Sequence, residues 1–250
     1  MLSEKALVQA LERNGIAAPV RYEDATPSTQ ALAEEMASAG APEWTLVAAG
    51  HQTEGRGRLG RSWADEPGTA LLFSLVLRPD LEPRLGGLLT LLAGTALVRA
   101  CGRASAQRAA CKWPNDLLID GRKAGGILAG SSITEDRFEH VVLGIGVNLT
   151  APPPGFDDAG AVHAEDSALL EGVLGELARV YRPGLSRAAA DIVTDYRAVC
   201  ATLGTRVRAT TTDGITVEGV AEDVDELGGL VIQTRSGLEV VRFGEVRHLE

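Results

Sequence analysis

Apolar positions recur at helical spacing from Ser3 to Asn14, where Gly15 ends the pattern, and again through QALAEEMASAG, which begins beside Ser28 and Thr29. Between them a short alternating run near Val20–Glu23 predicts a strand, and TLVAA (45–49) and ALLFSLVLR (70–78) predict two more. Residues 84–101, RLGGLLTLLAGTALVRAC, have the length and apolar density of a buried helix, although Gly86, Gly87 and Gly94 weaken it. A cluster of strand patterns follows in ACKW, DLLI, KAGGILA and FEHVVLGIGVNL, with Asp120-Gly121 as the clearest hairpin turn. After the proline-rich loop at 151–160, helices are expected over 166–181 and 186–199, broken by Pro183-Gly184. From Leu203 the period changes to short strands, TRVRAT, TVEGVAEDV, GLVIQT and EVVRF, separated by glycine turns. The pattern divides the chain into a mixed sheet backed by helices (1–202) and a compact β-barrel (203–250), an α+β architecture.

Composition narrows the function classes. The chain has 250 residues, 45% apolar and 23% charged, which is ordinary for a folded domain. A formal charge of −10 argues against a general nucleic-acid binder. No uninterrupted run of eighteen apolar residues occurs, and the N-terminus is amphipathic, unlike a signal peptide, so a soluble, cytoplasmic protein without a membrane partner is expected. Cys101, Cys111 and Cys200 fit neither a metal clip nor a disulfide framework and read as buried reduced thiols. His51, His140, His163 and His248 lack metal-ligand spacing, so no structural metal is assigned.

The locally basic loop GHQTEGRGRLGRSW (50–63) sets three arginines against one glutamate. Its GRGRLG fits G-x-G-x-x-G, but a dinucleotide turn needs strand, immediate glycine turn and helix. Here His51 to Glu54 intervene, Pro67 and Gly68 follow, and Asp80 is an unremarkable aspartate at the ribose-acid spacing. Arginines among glycines instead suit a mobile loop that closes on phosphate or carboxylate, with Trp63 available to cover a base. A solvated surface loop is the plainer alternative.

CKWPNDLLIDGRKAGGIL (111–128) reads geometrically. A two-residue turn at Asp120-Gly121 sets Ile119 opposite Arg122, Leu118 opposite Lys123 and Asp116 opposite Gly125. Asp116 and Lys123 then share a sheet face beside Gly125 and Gly126, where a ligand can lie flat, or they form an ordinary exposed cross-strand pair. Asn148 at a strand end reads as a turn cap, and Ser28-Thr29 as a helix cap.

In this order, PSTQ (27–30), QTEGRGRLGRSW (52–63), KWPND (112–116), KAGGIL (123–128) and GIGVN (144–148) make the chain resemble the biotin protein ligases. GVAEDVDELGGLVI resembles their small SH3-like C-terminal domain. The resemblance implies ATP-dependent formation of biotinyl-5′-AMP and transfer of biotin to a lysine of a biotin carboxyl carrier protein or domain. It implies biotin contacts from Ser28, Thr29, Gln30, Gln52, Arg56, Gly57, Arg58, Lys123 and Gly126. Arg58, Arg61, Trp63, Lys112, Asn115, Asp116 and Asn148 fall to ATP, with Lys123, Arg58 and Asp116 catalytic and Mg²⁺ near Asp116. Three positions depart from the usual pattern: Glu54 precedes GRGR in place of a small residue, Gln30 replaces asparagine, and Gly130 stands where glutamate is common. About twenty residues precede the core, too few for a winged helix-turn-helix, so a monofunctional enzyme that does not bind DNA is expected. A monomer and a homodimer both accord with this picture. A lipoate or octanoate ligase or transferase of the same fold is the nearest rival.

Overall fold

The computed structural model describes residues 2–156, 158–181 and 189–249. Pro183-Gly184, expected to break two helices, lies outside them. Helix α1 (Glu4–Arg13) begins where the Ser3 hydroxyl accepts from the Ala6 amide, and it turns Leu7, Ala10 and Leu11 inward. The other helices are α2 (Thr29–Ser38), α3 (Gly87–Ala104), α4 (Asp166–Val180) and α5 (Ala189–Arg197). Helix α3 starts at Gly87, three residues later than expected, and runs to Ala104, because its apolar residues are buried on nearly every side. Its Gly94 is a packing requirement: an ideal Cβ there would lie 2.9 Å from Cys111 Sγ. By length and mean hydropathy of 1.5 the segment Pro83–Ala104 could cross a membrane, but here it is packed in the core.

Seven strands form a mixed sheet. They are β1 (Val20–Glu23), β2 (Leu46–Ala49), β3 (Ala70–Leu77), β4 (Ala109–Lys112), β5 (Asp116–Ile119), β6 (Arg122–Thr134) and β7 (Arg137–Asn148). Their order is β1-β2-β3-β7-β6-β5-β4, with β1 and β2 parallel and the other pairs antiparallel. Asp120 and Gly121 both have positive φ (49° and 80°), as the predicted hairpin turn requires. The register beyond it differs from expectation. A bulge between Leu117 and Leu118 moves Asp116 from Gly125 to Gly126.

Helices α1, α3 and α4 cover one sheet face, with α5 packed on α3, and α2 covers only part of the other, where Ala33 and Ala37 meet Val47, Val76 and Val142. Next to that patch, the same face carries Ser74 opposite Gly144, and then Gly126 opposite Gly146. A cavity lies over this bare stretch of sheet.

Strands β8 (Arg206–Thr211), β9 (Thr216–Val224), β10 (Leu230–Thr234), β11 (Gly237–Val241) and β12 (Gly244–His248) form the C-terminal sheet. The pairing order β11-β10-β9-β8-β12 leaves β11 and β12 as edges, so the small β structure is present without a hydrogen-bonded barrel closure. β12 was not among the expected strands, since Val246 is the one apolar residue facing the core in it. The sheet is tied to the rest of the chain through Trp113, between β4 and β5, whose Nε1 donates to the Gly228 carbonyl at 3.0 Å, and through an ion pair of Arg197 on α5 with Asp223 at 2.6 Å.

Candidate active site

All the residues nominated from sequence, with one exception, line a single cavity of about 260 Å³ over the glycine-rich sheet face. The exception is Asn148. Its amide donates to the Gly160 carbonyl at 3.0 Å, which ties down the loop after β7, and its side chain does not line the cavity.

One end of the cavity is neutral and polar. Ser28 caps α2 and brings Thr29 over the sheet. The Thr29 amide and hydroxyl both donate to Gln52 Oε1, at 2.8 and 3.0 Å, and Ser74 Oγ donates to Thr29 Oγ1 at 3.0 Å. Gln52 thus spends its acceptor internally, leaving its amide N–H groups for a ligand. Its backbone is held in turn by the Asp65 carboxylate, which also meets His51 Nδ1 at 2.8 Å. Gln30 is 4% exposed and has a buried Oε1 without a hydrogen-bond partner.

The other end is cationic. Arg58 Nη1 donates to Asn115 Oδ1 at 2.9 Å and to the Gly244 carbonyl at 3.3 Å, so the loop, β5 and the C-terminal sheet meet at one guanidinium. Burial holds its pKa below the usual arginine value, only partly countered by Glu245 and Asp116. It remains charged at any working pH. Arg61 pairs with Glu245, and Lys112 lines the same end. Lys123 Nζ stands 2.6 Å from Asp116 Oδ1. Asn115 is fixed by donating from Nδ2 to the Ile127 carbonyl at 3.1 Å.

The Arg-Gly loop folds back on itself, with Gly57 N–Arg61 O at 2.7 Å and Trp63 N–Gly55 O at 2.8 Å. Its glycines serve the loop before they serve a ligand. An ideal Cβ at Gly55 would lie 2.5 Å from the Trp63 carbonyl, and Gly60 has φ 73° at the tip. Leu59 also takes a positive φ (54°) and is 57% exposed. The return strand lays the Trp63 indole on the sheet, where ideal Cβ atoms at Gly146 and Gly126 would come within 2.8 and 3.5 Å of its ring. Trp63 Nε1 is buried and lacks a partner.

Sequence reasoning missed Ser74, Gly144, Gly146, Glu245 and Arg247 as cavity residues. Ser74 was detectable as the sole polar residue inside ALLFSLVLR, and Gly144 and Gly146 as alternate glycines in an apolar strand. Nothing in the tail marked Glu245 or Arg247. Among the described residues, no group of three His, Cys, Asp or Glu side chains is placed to hold a metal ion.

Residues 22–148 match the model of the biotin/lipoate A/B protein ligase family, and residues 202–249 match that of the biotin protein ligase C-terminal domain. The chain is 33% identical over 256 aligned residues to the bifunctional ligase/repressor BirA of Bacillus subtilis, covering 98% of this chain and 78% of that one. It is 35% identical over 237 residues to the biotin–[acetyl-CoA-carboxylase] ligase of Mycobacterium tuberculosis, covering 90% and 86% respectively. Among solved structures, the biotin protein ligase of Aquifex aeolicus in complex with biotin and ATP superposes with a TM-score of 0.73 at 23% identity, over 92% of this chain and 99% of that one.

Proposed function

Because the chain belongs to the biotin protein ligase family, we propose that the cavity holds biotin and ATP together, joins them as biotinyl-5′-AMP, and passes biotin to a lysine of a biotin carboxyl carrier protein or domain. The enzyme is a biotin ligase. The observation that carries the assignment of its ends is the division of one cavity into a neutral hydrogen-bonding ring and a cationic wall. A ureido head carries a carbonyl and N–H groups without charge, which suits Gln52, Thr29, Ser28 and Gln30. A carboxylate and a triphosphate suit Lys123, Arg58, Arg61 and Lys112.

In the first step a biotin carboxylate oxygen attacks the α-phosphorus and pyrophosphate leaves. No protein nucleophile takes part, so the work is positioning and charge stabilisation. Lys123 brings its ammonium between the carboxylate and the α-phosphate, exchanging Asp116 for the substrate. Arg58, already oriented by Asn115, neutralises charge that develops at phosphorus. Gly126 and Gly57 let the reacting groups approach the backbone, and Trp63 packs on the adenylate. In the second step the carrier lysine's amine nitrogen attacks the carbonyl carbon of the mixed anhydride. AMP leaves, the nitrogen loses its proton, and an amide remains.

When bound, Mg²⁺ would add charge neutralisation at the phosphates. One carboxylate is a common protein share of such a site, and Asp116, released as Lys123 turns to the substrate, would hold it, since the wall's other carboxylate, Glu245, is paired with Arg61. We assign Asn148 to the nucleotide end through the loop it fastens. We place the catalytic domain at 1–202 and the tail domain at 203–250, and the enzyme in the cytoplasm, where ATP is plentiful and its free cysteines stay reduced. The direct test is pyrophosphate release from ATP with biotin, lipoate or octanoate. Release with biotin alone is expected, and equal release with lipoate or octanoate would overturn the reading.

A further inference from the structure

Gln30 is held one way round. Its Nε2 donates to Glu34 Oε1 at 3.0 Å and to the Val142 carbonyl at 3.2 Å. Turning the amide over would aim its oxygen at two acceptors, so the unpartnered Oε1 must face away from both. It lies over Gly144, where an ideal Cβ would sit 2.3 Å from it, and both residues line the cavity. A buried acceptor left unmet is costly until a donor reaches it. Such an atom on a cavity floor points to a ligand N–H.

Glu34 follows Gln30 by one helical turn of α2 and does not itself line the cavity. Its second oxygen, Oε2, lies 3.6 Å from Arg56 Nη1 on the Arg-Gly loop. The carboxylate occupies space that a side chain on β6 would need, since an ideal Cβ at Gly130 would come within 2.7 Å of Glu34 Oε1 and 2.9 Å of Gln30 Nε2. Two of the sequence departures, Gln30 and Gly130, therefore meet at one place and fit each other.

We propose that Glu34 is a positioning residue for ligand selection: through Oε1 it keeps the Gln30 acceptor turned to the cavity for an N–H of the ligand head, and through Oε2 it draws Arg56 and its loop toward the same cavity. This rests on the biotin reading, because a ureido ring supplies that N–H whereas a dithiolane or a saturated chain does not. Lipoate and octanoate would bury Gln30 Oε1 unpaired and be rejected for that reason.

The test uses the full chain with Glu34→Leu and Glu34→Gln. Biotin binding is measured by calorimetry, and KM for biotin, KM for ATP and kcat by pyrophosphate release. Glu34→Leu leaves the Gln30 amide free to turn. It should weaken biotin binding about tenfold, the scale of one hydrogen bond to a buried group, with smaller changes in kcat and in the KM for ATP through the lost Arg56 contact. Glu34→Gln keeps a neutral acceptor for Gln30 and should restore biotin affinity to within about threefold. A biotin methylated on its ureido nitrogens should lose less affinity in Glu34→Leu than in the wild-type protein. Wild-type affinity in Glu34→Leu, equal weakness in Glu34→Gln, or an equal methylation penalty in both proteins would overturn the assignment to Glu34. Failure of the wild-type protein to bind biotin would instead remove the functional reading, and this inference with it.

Discussion

Lys123 Nζ and Asp116 Oδ1 sit 2.6 Å apart across a bulge in the β5–β6 ladder, on the face that lines the cavity. The lysine side chain is about half exposed, so the pair contributes little to stability and is free to be exchanged for a substrate carboxylate. Lys123→Ala should lower biotin-dependent pyrophosphate release by roughly 10²–10³-fold, the usual loss for one charge-stabilising donor. Thermal unfolding should be nearly unaffected. Normal release in this variant would take Lys123 out of the mechanism.

Gly146→Ala tests the tryptophan wall. The added methyl would meet the Trp63 ring at 2.8 Å, and the backbone beneath it is fixed by pairs to Leu72 and Gly126. The indole must therefore lift. Loss of its packing on the adenylate should raise KM for ATP by roughly three- to tenfold, the scale of an aromatic contact, while biotin binding changes less. An unchanged KM for ATP would show that Trp63 does not pack on the nucleotide.

Limited trypsin digestion reports on the Arg-Gly loop. Outside the loop Arg56 is anchored only by Glu34 and Arg61 only by Glu245, among the described residues, while Arg58 holds Asn115 and the Gly244 carbonyl, and Leu59 projects into solvent. Early cleavage is expected within 56–61 without ligand and should slow when biotin and ATP are both present. NAD should not protect. Equally fast cleavage with the adenylate bound would mean that the loop does not close.

Thiol chemistry separates buried from reactive cysteines. Burial pushes the Cys101 thiol up to about 12 and raises Cys111 and Cys200 as well. At pH 8 the Cys101 thiolate is then about one part in 10⁴, so iodoacetamide should leave the native protein unlabelled for hours. In denaturant all three cysteines should react. Rapid labelling of one native thiol would contradict this packing.

Most of the architecture could be read from periodicity because each element buries a distinct face. Asp120-Gly121 announced its hairpin through residues that tolerate positive φ, and the Arg-Gly loop and KWPND came together as their chemistry suggested. What escaped was set by tertiary contact. The bulge at Leu117-Leu118 carries no residue signature, since either register leaves apolar side chains inward. β12 holds its place by pairing with β8, not by an apolar stripe of its own. Glu245 and Arg247 reach the cavity only because the C-terminal sheet docks through Gly228 and Gly244, far along the chain from every motif.

The glycine floor sets where this enzyme can change. Gly144 and Gly146 have no free volume above them: the nearest atoms belong to Gln30 and Trp63, which the ligand itself needs. In a library of all single substitutions screened for ligation, these two columns should be sparsely filled, while the exposed loop tip at Leu59 accepts more residues. New substrate preference would then have to be acquired from above, through α2 and the Arg-Gly loop, over a floor that stays blank.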